Sequence, residues 1–256
     1  MGFGLRALVF FGAACRLPAM AKAHTTWTVL GHRPIEKLGP RLWRVEGDVP
    51  GIPLKRVMTI VRLSDGRLVV HNGIALEDAA MREIEAWGPI AFVLVPNGYH
   101  RLDAPAFHAR YPSARVLCPP GARAKVAEVV PDVGLYAELP TDAVLSHGLV
   151  DGTNEEEAYL RVEDESGVTL VLNDAVFNMP HEHGVQGFVL KHLTQSTGGP
   201  RVSRVGRFFL VKDKVAFVAC LRRLADTPGL TRVIVSHHQT ITERPGDALR
   251  AAADTV

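Results

Sequence analysis

The apolar run Ala91 to Val95 stops at Pro96, and Asn97, Tyr99, His100, Arg101 and Asp103 follow at once. A continuous apolar run of this length reads as a buried strand. Upstream, Leu68 to His71 is a second such run. Between the two, Glu77 to Trp87 sets Ala79, Ala80, Ile84 and Trp87 on or near one helical face and ends at Gly88-Pro89. Strand, helix and strand in that order predict a right-handed crossover between parallel strands. In open α/β architectures ligands bind at the carboxyl ends of the strands, so a polar cluster there is the first place to look for chemistry.

The rest of the chain adds hairpins to this unit. Val57 to Leu63 and Leu68 to His71 flank the turn Ser64-Asp65-Gly66, and Glu157 to Glu163 and Val168 to Leu172 flank Asp164 to Gly167. Gly47 to Pro53 reads as a loop, and so does the long stretch Asn178 to Gly199, which holds His181, His183 and His192. Lys212 to Leu224 is a predicted helix burying Val215, Phe217, Val218, Leu221 and Leu224; Arg232 to Val235 is the last strand and Asp247 to Ala253 the last helix. Hairpins mixed with β-α units predict an α/β class with two mixed sheets sandwiched between helices, rather than a doubly wound sheet. Residues 24–256 are expected to form a single domain.

Composition narrows the function classes. Of 256 residues 47% are apolar and 22% charged, which fits a globular chain. A net charge of +2 gives no footing for nucleic acid or an anionic membrane, and no run of about 18 apolar residues predicts a transmembrane helix. The expected partner is therefore a small-molecule substrate or ligand. Cys15, Cys118 and Cys220 are far apart and form no C-x-x-C pair, so neither a disulfide framework nor a zinc ribbon is expected. That usage points to the cytoplasm. Residues 1–23 are either an extension upstream of a start at Met20 or a signal-like segment ending in Ala21-Lys22-Ala23, in which case the protein is secreted.

Three strand ends carry the candidate site. At the first, an imidazole and a carboxylate a few residues apart, His100 and Asp103, can bind Zn²⁺ or Fe; in the plainer reading Asp103 caps the helix from Ala104 and Asn97-Gly98 makes a turn. At the second, LVLNDAVFN, Asp174 either bridges metals or acts as a general base, or caps the next turn. At the third, His237 and His238 end RVIVS, and adjacent residues of a strand point to opposite sides, so only one of them faces a given site. His181 and His183 have an H-x-H spacing in a loop and read as a lid or surface feature. Asn72, after LVVH, stands where it can orient a ligand.

These strand ends, in this order, resemble the metallo-β-lactamase fold superfamily from about Leu38 to Ala253. There a strand ends in D-x-G, the next in H-x-H-x-D-H, a later one in a metal-bridging Asp and the last in G-H. Here LVVHNG puts Asn72 in the first place, VLVPNGYHRLDAP fills the second, VLNDA supplies Asp174 and VIVSHH supplies His237. The second motif is similar to the PN-x-x-H of an uncharacterised bacterial branch, a domain of unknown function. Neither register of Asn97, Tyr99, Arg101, Leu102 and Asp103 preserves H-x-H-x-D-H. The resemblance implies an αββα sandwich and a metal-dependent hydrolase with a reduced zinc or iron site: His100, Asp174 and His237 as ligands, Asp103 as ligand or general base. Asn72, Asn97, Tyr99, His181, His183 and His238 complete the candidate set. The missing motif equally suits a metal-free member that binds a small molecule or protein partner through the same cleft.

Overall fold

The computed structural model describes residues 22–181, 184 and 188–256, so Cys15, most of the signal-like segment and His183 lie outside the described residues. The chain opens on β1 (Glu36–Lys37), β2 (Leu42–Val49) and β3 (Ile52–Arg62). The stretch 47–53, expected to be a loop, is the tip of the β2–β3 hairpin, paired as far as Val49 with Ile52. Gly51, at a φ of 74°, makes the turn that lets the two strands run on to that point.

Next come β4 (Leu68–His71), α1 (Asp78–Trp87), β5 (Ile90–Leu94), α2 (Ala104–Arg110), β6 (Arg115–Cys118), α3 (Arg123–Ala127) and β7 (Gly134–Leu135). Strands β4 to β7 pair in parallel, β1 to β4 antiparallel, and the first sheet takes all seven in chain order.

The second sheet begins as an antiparallel meander of β8 (Leu145–Leu149), β9 (Ala158–Asp164) and β10 (Gly167–Leu172). The stretch expected as a long loop is part structured: β11 (Phe177–Met179) pairs with β12 (Gly199–Arg201), and residues Val189–Leu193 form a π-helical turn. Then follow α4 (Arg204–Phe209), α5 (Lys214–Ala225), β13 (Leu230–Val235), which joins β10 in parallel, and α6 (Pro245–Ala253).

The core separates into layers because successive strand residues face opposite ways. Met58 and Ile60 of β3, with Val70 and Val93, pack under α1, α2 and α3. Val57 and Val61 of β3, with Val69, Phe92, Leu94 and Leu117, face Leu160, Val162, Val171 and Ile234 of the second sheet. Leu170, Leu172, Val233 and Val235 meet Phe217, Leu221, Leu224 and Leu249 of α5 and α6. The order helix, sheet, sheet, helix is the αββα sandwich. On α5, Phe217, Leu221 and Leu224 are buried, but Val215 is 80% exposed. At about 100° per residue it lies some 200° around the helix from Phe217, on the water side.

Candidate metal centre

The strands that carry the site all run their carboxyl ends to one edge of the sandwich. After β4 the chain turns at Asn72, which has a φ of 55°, a left-handed conformation asparagine tolerates better than most residues. Its amide nitrogen donates to the Val57 carbonyl at 2.9 Å, and its carbonyl oxygen meets His100 Nδ1 at 3.1 Å. After β5, the Asn97 side-chain oxygen accepts from the backbone N–H of Tyr99 at 2.8 Å and of His100 at 3.1 Å. This Asx turn aims the His100 ring inward, while the Asn97 amide nitrogen donates to Asp174 Oδ2 at 2.7 Å. After β10, Glu157 accepts from the backbone N–H of Asp174 and of Ala175, at 3.2 and 2.7 Å, and so fixes the turn that presents Asp174. Burial, with the Asp174 charge adding to it, pushes the Glu157 carboxyl up to about 8.

His100, Asp174 and His237 converge, each offering a ligand atom within 4.8 Å of the others. Both His100 Nε2 and His237 Nε2 lie 3.1 Å from Asp174 Oδ1. The far side of each ring decides what this means. His237 Nδ1 is 2.8 Å from the Lys55 carbonyl, which can only accept, so Nδ1 carries the proton. His100 Nδ1 faces the Asn72 oxygen, whose orientation is set because the Asn72 nitrogen faces the Val57 carbonyl; this Nδ1 too must donate. In the neutral rings both Nε2 atoms are therefore lone pairs, and they point at a carboxylate oxygen with no proton between the three. A proton shared among the three atoms, or a metal ion, satisfies them. An ion about 2.0–2.1 Å from tetrahedral ligands holds them about 3.3 Å apart, close to the 3.1 Å of the two histidine–aspartate pairs, while the two Nε2 atoms lie within 4.8 Å of each other. Burial alone would raise the Asp174 carboxyl; the charge and hydrogen bonds of His100 and His237 outweigh it and hold the group well below the usual carboxylate range. Phe177 stacks on the His237 ring at 5.0 Å and closes that flank.

The other candidates lie apart from this cluster. Asp103, expected as a ligand or general base, is buried elsewhere: Oδ2 pairs with Arg56 Nη2 at 2.7 Å and accepts from Ala75 N–H at 3.0 Å, while Oδ1 meets His24 Nδ1 at 2.7 Å. Both oxygens are used, and the side chain makes no capping bond to α2 either. In this structure Asp103 is held by Arg56, Ala75 and His24 rather than by the His100–Asp174–His237 cluster. His238 turns away at a φ of 64° and accepts from Lys55 N–H at 3.2 Å, so the two adjacent histidines grip the N–H and the carbonyl of one residue. Burial, helped by the charges of His237 and Lys55, lowers His238 to about 4. His181 pairs with Thr197 Oγ1 at 3.0 Å. Tyr99, 46% exposed, stands on the rim with its hydroxyl 2.8 Å from Lys125 Nζ.

Sequence reasoning missed a polar floor beneath the cluster. Thr59, His71, Asn173 and Ser236 share the strand faces of Val57, Val69, Val171 and Ile234 and so end the inter-sheet layer at the site. All four are buried, and Thr59 Oγ1, both nitrogens of His71, both amide atoms of Asn173 and Ser236 Oγ have no hydrogen-bond partner among the described residues. Strand parity in LVVHN was the available signal: it places His71 opposite in sense to Val70 and in line with Val69.

No family model matches the sequence, and neither does any curated protein. Solved structures do. A metallo-β-lactamase from Erythrobacter litoralis, crystallised with β-mercaptoethanol in its active site, is 12% identical with a TM-score of 0.56, over 87% of this chain and 96% of that one. A metallo-β-lactamase from Pontibacter korlensis is 13% identical with a TM-score of 0.56, covering 87% and 99%. One from Hirschia baltica is 14% identical with a TM-score of 0.56, covering 86% and 98%. The chain has the metallo-β-lactamase fold.

Proposed function

We propose that the protein is a metal-dependent hydrolase acting on a small molecule, with one zinc or iron ion held by His100 Nε2, Asp174 Oδ1 and His237 Nε2. The observation that carries this reading is the convergence of His100 Nε2, His237 Nε2 and Asp174 Oδ1, with Nδ1 of each ring turned outward to an acceptor. Three protein ligands with a position left open is the ligand count of catalytic zinc, whereas structural sites are closed by four. When bound, the ion supplies a Lewis acid able to polarise a carbonyl and to lower the pKa of water.

The chain's own groups hold and orient. Asn97 occupies Asp174 Oδ2 and leaves Oδ1 to face the two rings; Asn72 and the Lys55 carbonyl turn Nδ1 of each imidazole outward. A cavity of about 280 Å³ opens on the cluster, walled by Val49, Ile52, Leu54 and Tyr99, and gives a substrate its access while limiting water. Asp103 ties the start of α2 to Arg56.

Elemental analysis of protein purified without chelators, and again after refolding with zinc or iron, tests the reading. About one equivalent of metal is expected, lost in Asp174→Ala. Less than about a tenth of an equivalent in the wild type would refute it, because a three-ligand site retains its ion.

A further inference from the structure

A second cavity, of about 410 Å³, also opens at Asp174 and Tyr99. Its walls are Phe177, Val205, Phe209 and Leu210, with Gly206 between them. Of its polar lining groups, Ser203 Oγ accepts from Gly206 N–H at 2.9 Å, the Asn97 amide serves Asp174 and the Tyr99 hydroxyl meets Lys125 Nζ, while Glu156 adds a carboxylate. A Cβ on Gly206 would lie 3.2 Å from Ser203 Oγ and 3.4 Å from the Asp174 carbonyl, so the missing side chain lets the cavity reach the strand end itself. Phe209 and Val205 are 43% and 37% exposed, large apolar groups left facing water beside the site. Phe177 joins the two regions, since the ring that walls the cavity also stacks on His237.

A space whose walls are mainly apolar, as Phe177, Val205, Phe209 and Leu210 make this one, favours an apolar occupant. Because it opens at Asp174, that occupant is part of the molecule whose reacting group meets the His/Asp/His cluster. Resting on the hydrolase reading above, we infer that the substrate carries an apolar tail that lies between Phe177 and α4. At roughly 30 Å³ for each methylene-sized group and less than complete filling, the space takes a tail of up to about ten carbons.

The tail site is testable without the metal. Titrate the metal-stripped full chain calorimetrically with 1-butanol through 1-dodecanol, neutral probes with no ligand for an ion. Association should strengthen about fourfold per added methylene and level off near ten carbons. Val205→Asp and Phe209→Asp, at positions already part exposed and so compatible with folding, should each weaken 1-decanol at least tenfold. Binding without chain-length dependence, or a dependence that survives both variants, overturns the inference. The stated dependence, abolished by the variants, supports the tail site whatever the metal analysis gives; a preparation that binds the alcohols and refuses zinc and iron overturns the hydrolase reading alone.

Discussion

Asn97 makes three hydrogen bonds with one side chain, and Asn97→Ala removes them together. The bond to the Asp174 carboxylate is to a charged acceptor and is worth about 1.5–3 kcal/mol; the two from the Tyr99 and His100 N–H groups are ordinary bonds of about 1 kcal/mol each. The Tyr99 and His100 N–H groups are only part buried and recover some of their loss from water, so the net cost is about 2–4 kcal/mol. For a chain of this size that is a fall in Tm of about 5–15 °C. The effect on the metal is separate. Asp174 Oδ2 is released and the carboxylate can rotate, while the turn that aims His100 loses its tie. Partners that orient ligands in this way are worth about 10–100-fold in metal affinity. Urea denaturation with chelator present measures the first quantity, and competition against a chromophoric zinc chelator the second. A variant that is destabilised as expected but binds zinc with unchanged affinity would refute the orienting role of Asn97.

Three further outcomes separate framework from site. Asp103→Asn breaks the buried pair with Arg56 and should cost about 3–5 kcal/mol in denaturant while leaving the metal content of the folded protein unchanged; loss of metal at retained stability would return Asp103 to the centre. His71 is depressed to about 3 by burial and then by the His100 charge, below its unfolded value. The unfolded chain therefore binds the extra proton, and stability falls as pH drops from about 6.5 towards 3. In metal-free protein His71→Leu should lose about 1.4 kcal/mol less per pH unit across that window, and parallel pH profiles would exclude the effect. Gly73→Ala would set a Cβ 2.8 Å from the Phe107 ring, so a loss of about 1–3 kcal/mol is expected, with a neutral result in thermal melts counting against rigid packing there.

The fold was readable because apolar runs and turn residues recur in the right order, and because burial on strands enforces a period of two. Strand β8 was not: Leu-Ser-His-Gly-Leu has weak strand preference, and pairing with β9 is what makes it one. In the site, the strand ends pointed to Asp174 and His237, whereas the direction of His100 depends on the Asn97 turn. Asp103 sits in a motif-like position, yet its partners Arg56, Ala75 and His24 come from distant segments, a pairing that no local spacing reveals. Glu157 closes a run of three glutamates, and nothing in that run marks the one that burial selects.

The first sheet takes its strands in chain order, whereas the second is completed only by β13. On the ribosome β1 to β7 can pair before β8 to β13 have been made. During that time the face carrying Val57, Val61, Val69, Phe92, Leu94 and Leu117 has nothing to cover it. Roughly 120 residues at ~5–20 per second leave it bare for about 6–24 s. Such a surface is a target for holding chaperones and a seed for sticking to neighbouring nascent chains. The yield of soluble protein should thus respond to translation speed over codons 136–256, independently of how stable the finished molecule is.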